Sequence, residues 1–127
     1  MYDIYYAHHR WKYYTDIEQY ELDLIRRYFP RATIFDPSID LKASRSDNEE
    51  IIMAECLETV RNSDILIFSS VNGCVGTGVY HEVKEAQKKG KLIFYIYQNK
   101  LTPDFDIYER DEFDRTDRIY ANVCPLY

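Results

Sequence analysis

Cysteine pairs, a basic face, a long apolar run and dispersed glycine are all missing from this chain of 127 residues. Cys56, Cys74 and Cys124 are odd in number and far apart, with no C-x-x-C pair, which argues against a zinc knuckle and a disulfide framework. Acids outnumber bases by 22 to 16, for a net charge of −6. Such a chain has no cationic face to neutralise a run of phosphates, so no nucleic-acid polymer is expected as partner. A small phosphorylated ligand is still open, because a few cations and helix amides can serve it. No apolar run reaches spanning length and no leader pattern precedes the first strand, so a cytoplasmic protein without membrane contact is expected. His8, His9 and His81 lack the i, i+4 pairing of a histidine metal motif, and no carboxylate spacing supports them. Neither a metal nor a cofactor is expected. Of only four glycines, Gly73, Gly76 and Gly78 fall within six residues of one another, which marks one loop as special.

What is present fits one soluble α/β domain over residues 1–127. The hydrophobic share is 46% and the charged share 30%, enough for a real core at this length. The 13 tyrosines combine an apolar body with a polar tip, as pocket walls and interfaces require. Residues 2–7 read as a first strand. His8 to Tyr14 is polar and aromatic without helical period, a loop over that strand's carboxyl end in which Arg10 and Lys12 offer cations. Thr15-x-x-Glu18 signs a capping box, and Ile17, Tyr20, Leu24, Ile25 and Tyr28 keep helical spacing up to Pro30. Residues 32–35 form a second strand. Ser46-x-x-Glu49 is a second capping box, opening a helix over about residues 47–61 with Ile52, Cys56, Leu57 and Val60 inward.

The chain is organised around residues 63–97. Ile65-Leu66-Ile67-Phe68 is a short unbroken apolar run, the signature of a strand covered on both faces. The glycine loop follows, then a helical pattern closed by Lys88-Lys89-Gly90, then a second buried strand over residues 92–97. The connection suits a right-handed crossover between parallel neighbours. Residues 99–117 are expected as a short helix or irregular lid, and residues 118–123 as a last strand. The alternation predicts a doubly wound, flavodoxin-like or Rossmann-like sheet, mostly parallel, of about five strands with flanking helices. Its functional edge gathers the loops at residues 7–14, 36–47 and 69–78.

At that edge the glycine loop lacks both the Walker lysine and the third glycine of the dinucleotide fingerprint. It reads either as a tight turn or as a place where backbone amides approach an anion. Ser69, Asn72, Gly76, Thr77 and Gly78 are its candidate ligand-binding groups. With Val79 at the centre of the helix's inner face, Glu82 lies about 60° to one side, on the inner flank beside the cleft. A carboxylate there either complements the helix dipole or does chemistry.

The passage C-L-x-x-V-x-x-S-D-I-L-I, a glycine loop, then G-V-x-x-E-V-x-x-A-x-x-x-G-K-L-I, resembles the nucleoside 2-deoxyribosyltransferase superfamily, which includes nucleotide N-glycoside hydrolases. The resemblance covers residues 1 to about 97 and is specific over 64–92. It implies that Glu82 is the nucleophile that attacks the anomeric carbon. It implies also that Tyr6 or Tyr5, at the end of the first strand, orients that carboxylate or meets the substrate. Arg10 and the Gly78 amide fit a 5′-phosphate, and a homo-oligomer is implied. The loop Val71-Asn72-Gly73-Cys74 carries no acid, where transferases of the family usually do. The absent acid supports one alternative to the N-glycosidase or deoxyribosyltransferase reading, a non-catalytic nucleotide-sensing module; a TIR-like NAD hydrolase, which also uses a glutamate on a small α/β sheet, ranks last because the usual surroundings of that glutamate are missing.

Overall fold

The computed structural model describes residues 1–43, 48–71 and 75–103. Its elements in chain order are β1 (Asp3–Ala7), a 3-10 turn (Arg10–Lys12), α1 (Asp16–Tyr28), β2 (Thr33–Phe35), α2 (Pro37–Asp40), α3 (Glu49–Asn62), β3 (Ile65–Phe68), α4 (Thr77–Lys88), β4 (Leu92–Tyr97) and β5 (Lys100–Pro103). The five strands form one sheet in the order β2-β1-β3-β4-β5. All pairings are parallel except β4 with β5. This is the doubly wound α/β arrangement, with the chain reversing its winding direction between β1 and β3.

Side-chain alternation along the central strands divides the core in two. Ile4 and Tyr6 of β1 join Ile65 and Ile67 of β3 against Leu22 and Ile25 of α1. Tyr5 and Ala7 join Leu66 and Phe68 on the other face, against Cys56 and Val60 of α3 and Val79, Val83 and Ala86 of α4. Helix α1 is capped as its sequence indicates: Thr15 Oγ1 accepts from the Glu18 amide at 3.2 Å. The reciprocal half of the box is not made, because the Glu18 carboxylate turns inward and accepts from the Tyr14 amide at 2.9 Å.

Four expectations are corrected. Ile17, Tyr20 and Tyr28 are exposed, while Glu18 and Glu21 occupy the inward face of α1. Helix α3 is capped by Asn48, whose side chain accepts from the Ile51 amide, rather than by Ser46, which lies outside the described residues. Within residues 36–43, a loop by sequence, Pro37–Asp40 is a helical turn. The segment expected to be a helix or lid begins instead as a strand: Gln98 and Asn99, at φ 49 and 64, make a two-residue turn that returns β5 antiparallel onto β4. Paired positive φ values are the geometry of a hairpin turn whose twist matches its strands. The strand expected at residues 118–123 lies outside the described residues.

Candidate active site

A cleft of about 1070 Å³ opens where the carboxyl ends of β1 and β3 meet, bounded by the loop after β1, by α3 and by the first turns of α4. Doubly wound sheets collect ligands at this switch point. Glu82, one turn into α4, lines the cleft although only 5% of its surface is exposed. Its Oε2 accepts a 2.5 Å hydrogen bond from the Tyr5 hydroxyl, and the Cys56 thiol of α3 is a polar neighbour in the same core. Burial pushes the Glu82 carboxyl up to about 7, against the downward pull of the Tyr5 and Cys56 hydrogen bonds. Burial and the neighbouring Glu82 charge push the Cys56 thiol up to about 12 and hold the Tyr5 hydroxyl well above the usual phenol range. Both neighbours therefore stay protonated, and the Tyr5 hydroxyl is a fixed donor to the carboxylate.

That arrangement sets the charge state of Glu82. Near pH 7 it is shared between acid and carboxylate, desolvated on its inner side and reachable from the cleft. Tyr5→Phe removes the hydroxyl that donates to Glu82 and favours its charged form. The Glu82 titration should then move upward by roughly one pH unit, read from the carboxyl resonance of ¹³C-glutamate-labelled protein. A midpoint that stays near 7 would mean that the tyrosine does not govern it.

The alternation of β1 separates the two tyrosines offered by sequence. Tyr5 supports Glu82 from beneath and, being fully buried, does not itself line the cleft. Tyr6 points to the opposite face, where its hydroxyl donates to Glu21 Oε1 and its ring stacks on His8. Tyr6 is thus corrected from a catalytic candidate to part of a buried polar network. Ser69 is corrected likewise: its hydroxyl donates to Glu21 Oε1 at 2.7 Å and accepts from Lys12 Nζ at 2.9 Å, away from the cleft. Lys12, read as a cation over the cleft, is buried and also donates to Glu21 Oε2 and the Ser70 carbonyl. Arg10 is exposed and lines the cleft, together with Thr77 and Gly78. Asn72 lies outside the described residues.

Three contributors escaped the sequence reading. Glu49 and Glu50, at the start of α3, line the cleft across from α4. His9 is buried at the cleft wall, with its Nδ1 accepting from the Trp11 amide at 3.0 Å. That bond assigns the ring proton to Nε2. His9 also explains Gly76: a Cβ there would lie 2.6 Å from His9 Cδ2. Gly76→Ala should therefore cost about 1–3 kcal/mol of stability in urea denaturation. Adding His9→Ala, which removes the obstructing ring, should return most of it. An unchanged midpoint for the single variant would refute the contact.

No family model and no curated protein matches the chain. Among solved structures the chain is similar to the crystal structure of a conserved protein from Enterococcus faecalis V583, with a TM-score of 0.56 and 24% identity over 76% of this chain. The likeness is one of fold. The chain spans 64% of the length of that protein. Among the described residues, no helix is long and apolar enough to cross a membrane.

Proposed function

We propose that the protein cleaves or exchanges the N-glycosidic bond of a nucleoside or nucleoside 5′-monophosphate, with Glu82 as nucleophile. One observation carries the reading: a buried carboxylate in the switch-point cleft, held by the Tyr5 hydroxyl and tuned to titrate at about 7. A glutamate so placed attacks the anomeric carbon; the C–N bond breaks, and its electron pair leaves with the base, which takes up a proton. Water then attacks the glycosyl ester and releases the free sugar, or a second base attacks and leaves as a new nucleoside; either gives up a proton and restores the carboxylate. Burial serves the first step, since a poorly solvated carboxylate is a better nucleophile, and the Tyr5 hydroxyl helps to keep part of it ionised.

Glu49 and Glu50, on the same cleft, supply the carboxyl groups that the loop before α4 lacks for handling the proton on the base. Arg10 at the mouth and the first amides of α4, where no side chain caps the helix at Gly76, suit a 5′-phosphate. In this reading Tyr5 is a positioning residue rather than a substrate contact. The protein is a cytoplasmic homo-oligomer that needs no cofactor.

The test is chromatography of a panel of nucleosides and nucleoside monophosphates, with a free second base as acceptor, incubated with the wild-type protein and with Glu82→Gln. Base release or exchange by the wild type alone is the expected result. Ligand-induced thermal stabilisation without turnover on any member would replace the enzyme by a nucleotide-sensing module.

A further inference from the structure

On the α1 side of the sheet, His8, Glu18 and Asp36 meet from three different elements: the end of β1, the first turn of α1, and the residue that caps α2. All three are at least nine-tenths buried. His8 Nε2 lies 2.7 Å from Glu18 Oε2 and 3.6 Å from Asp36 Oδ1, and one ligand atom from each residue falls within 4.8 Å of the others.

Each side chain is anchored by a backbone group. His8 Nδ1 lies 3.2 Å from the Tyr6 carbonyl, which can only accept, so Nδ1 carries a proton and Nε2 is the variable nitrogen. The Tyr6 ring, stacked at 3.8 Å and 5°, fixes the imidazole plane. Glu18 Oε1 takes the Tyr14 amide, leaving Oε2 toward His8. Asp36 Oδ1 takes the Ser38 amide at 2.8 Å, and Asp36 Oδ2 is buried with no hydrogen-bond partner. Backbone groups that hold each ligand side chain are what orients the donors of a metal centre.

Charge leads to the same place. The cluster sets two buried carboxyl groups beside a single imidazole and leaves Asp36 Oδ2 without a hydrogen-bond partner. A dication drawing one ligand atom from each residue would balance both carboxylates. We propose that His8, Glu18 and Asp36 bind a divalent transition-metal ion, zinc or manganese in preference to magnesium. One imidazole and two carboxylates suit the first two ions, whereas magnesium asks for more oxygen ligands and keeps several waters, for which a buried site has little room. The sequence reading grouped the histidines with one another, whereas the partners of His8 are carboxylates 10 and 28 residues further on. His8 also lines the cleft, so an ion here would stiffen the loop that carries His9 and Arg10.

The test starts from chelator-stripped protein titrated with Zn²⁺, Mn²⁺ and Mg²⁺ by calorimetry and thermal unfolding. Expected are one Zn²⁺ or Mn²⁺ per chain and a Tm rise of about 5 °C or more at 100 times Kd, with no comparable response to Mg²⁺. Asp36→Asn keeps the α2 cap, and Glu18→Gln keeps an oxygen for the Tyr14 amide. Each should weaken binding by about 100-fold, as loss of a direct ligand exceeds loss of an outer-shell one. X-ray absorption should show nitrogen and oxygen neighbours at about 2.0–2.2 Å. Absence of binding by the wild type, or binding undiminished in both variants, overturns the site.

Discussion

Glu82→Gln should abolish base release and at the same time make the protein more stable above pH 7. The catalytic loss should be on the order of 10⁴-fold or more, since glutamine cannot form the glycosyl ester. The stability gain follows from linkage. The Glu82 carboxyl sits at about 7 in the fold against an ordinary 4.5, so the folded state holds its proton more tightly than the unfolded chain does. That contribution to stability is complete below pH 4.5 and is lost as the pH rises through 7. At about 1.4 kcal/mol per pH unit, the buried carboxylate costs roughly 3 kcal/mol by pH 8 relative to its protonated form. Glutamine is neutral at every pH and still accepts from the Tyr5 hydroxyl. Urea denaturation should therefore show a gain of about 2–3 kcal/mol at pH 8 and little change at pH 4.5. A stabilisation that did not depend on pH would sink the assignment of the burden to this carboxylate. Stability gained together with activity lost is the pattern of a residue kept for chemistry rather than for folding.

Lys12→Met should have the largest destabilising effect. Lys12 Nζ donates to Glu21 Oε2 at 2.8 Å, Ser69 Oγ at 2.9 Å and the Ser70 carbonyl at 2.7 Å, which uses all three ammonium protons. Both side chains of the ion pair are more than nine-tenths buried. Without the lysine, Glu21 remains a buried anion held, among the described residues, by the Tyr6 and Ser69 hydroxyls, and the Lys12 bond to the Ser70 carbonyl is lost. Removing one partner of such a pair costs about 3–5 kcal/mol. Glu21→Gln in the Lys12→Met background removes the stranded charge and should recover part of the loss, with a coupling of about 2 kcal/mol in the double-mutant cycle. A loss below about 1 kcal/mol for Lys12→Met would mean that the network contributes little. Because Lys12 belongs to the turn that carries His9 and Arg10 to the cleft, any surviving activity should show a raised KM before a lowered kcat.

Much of the architecture was legible in the chain. The unbroken run at Ile65–Phe68, the Thr15 cap, the Gly90 stop and the spacing of Val79, Val83 and Ala86 are local signals, and local signals define elements. Glu82 was legible too, because its position one turn into a helix that follows a strand fixes it at the sheet's carboxyl edge. The β4–β5 hairpin was not: its turn is Gln98-Asn99, without the glycine that usually marks positive φ.

What only the tertiary structure decided is where side chains of mixed character point. Period-two alternation states that Tyr5 and Tyr6 face opposite ways, but only the placement of α3 and α4 makes Tyr5 the partner of Glu82. On α1 the sequence marks Glu18 and Glu21 as polar and Ile17 and Tyr20 as apolar, yet the carboxylates are buried and the apolar pair is exposed. The reason is energetic. A carboxylate can leave water only when donors from distant segments meet it, and Lys12, Tyr6, Ser69 and His8 do so from three other stretches of the chain. Hydrophobic periodicity is written into neighbouring residues; charge compensation is written across the fold.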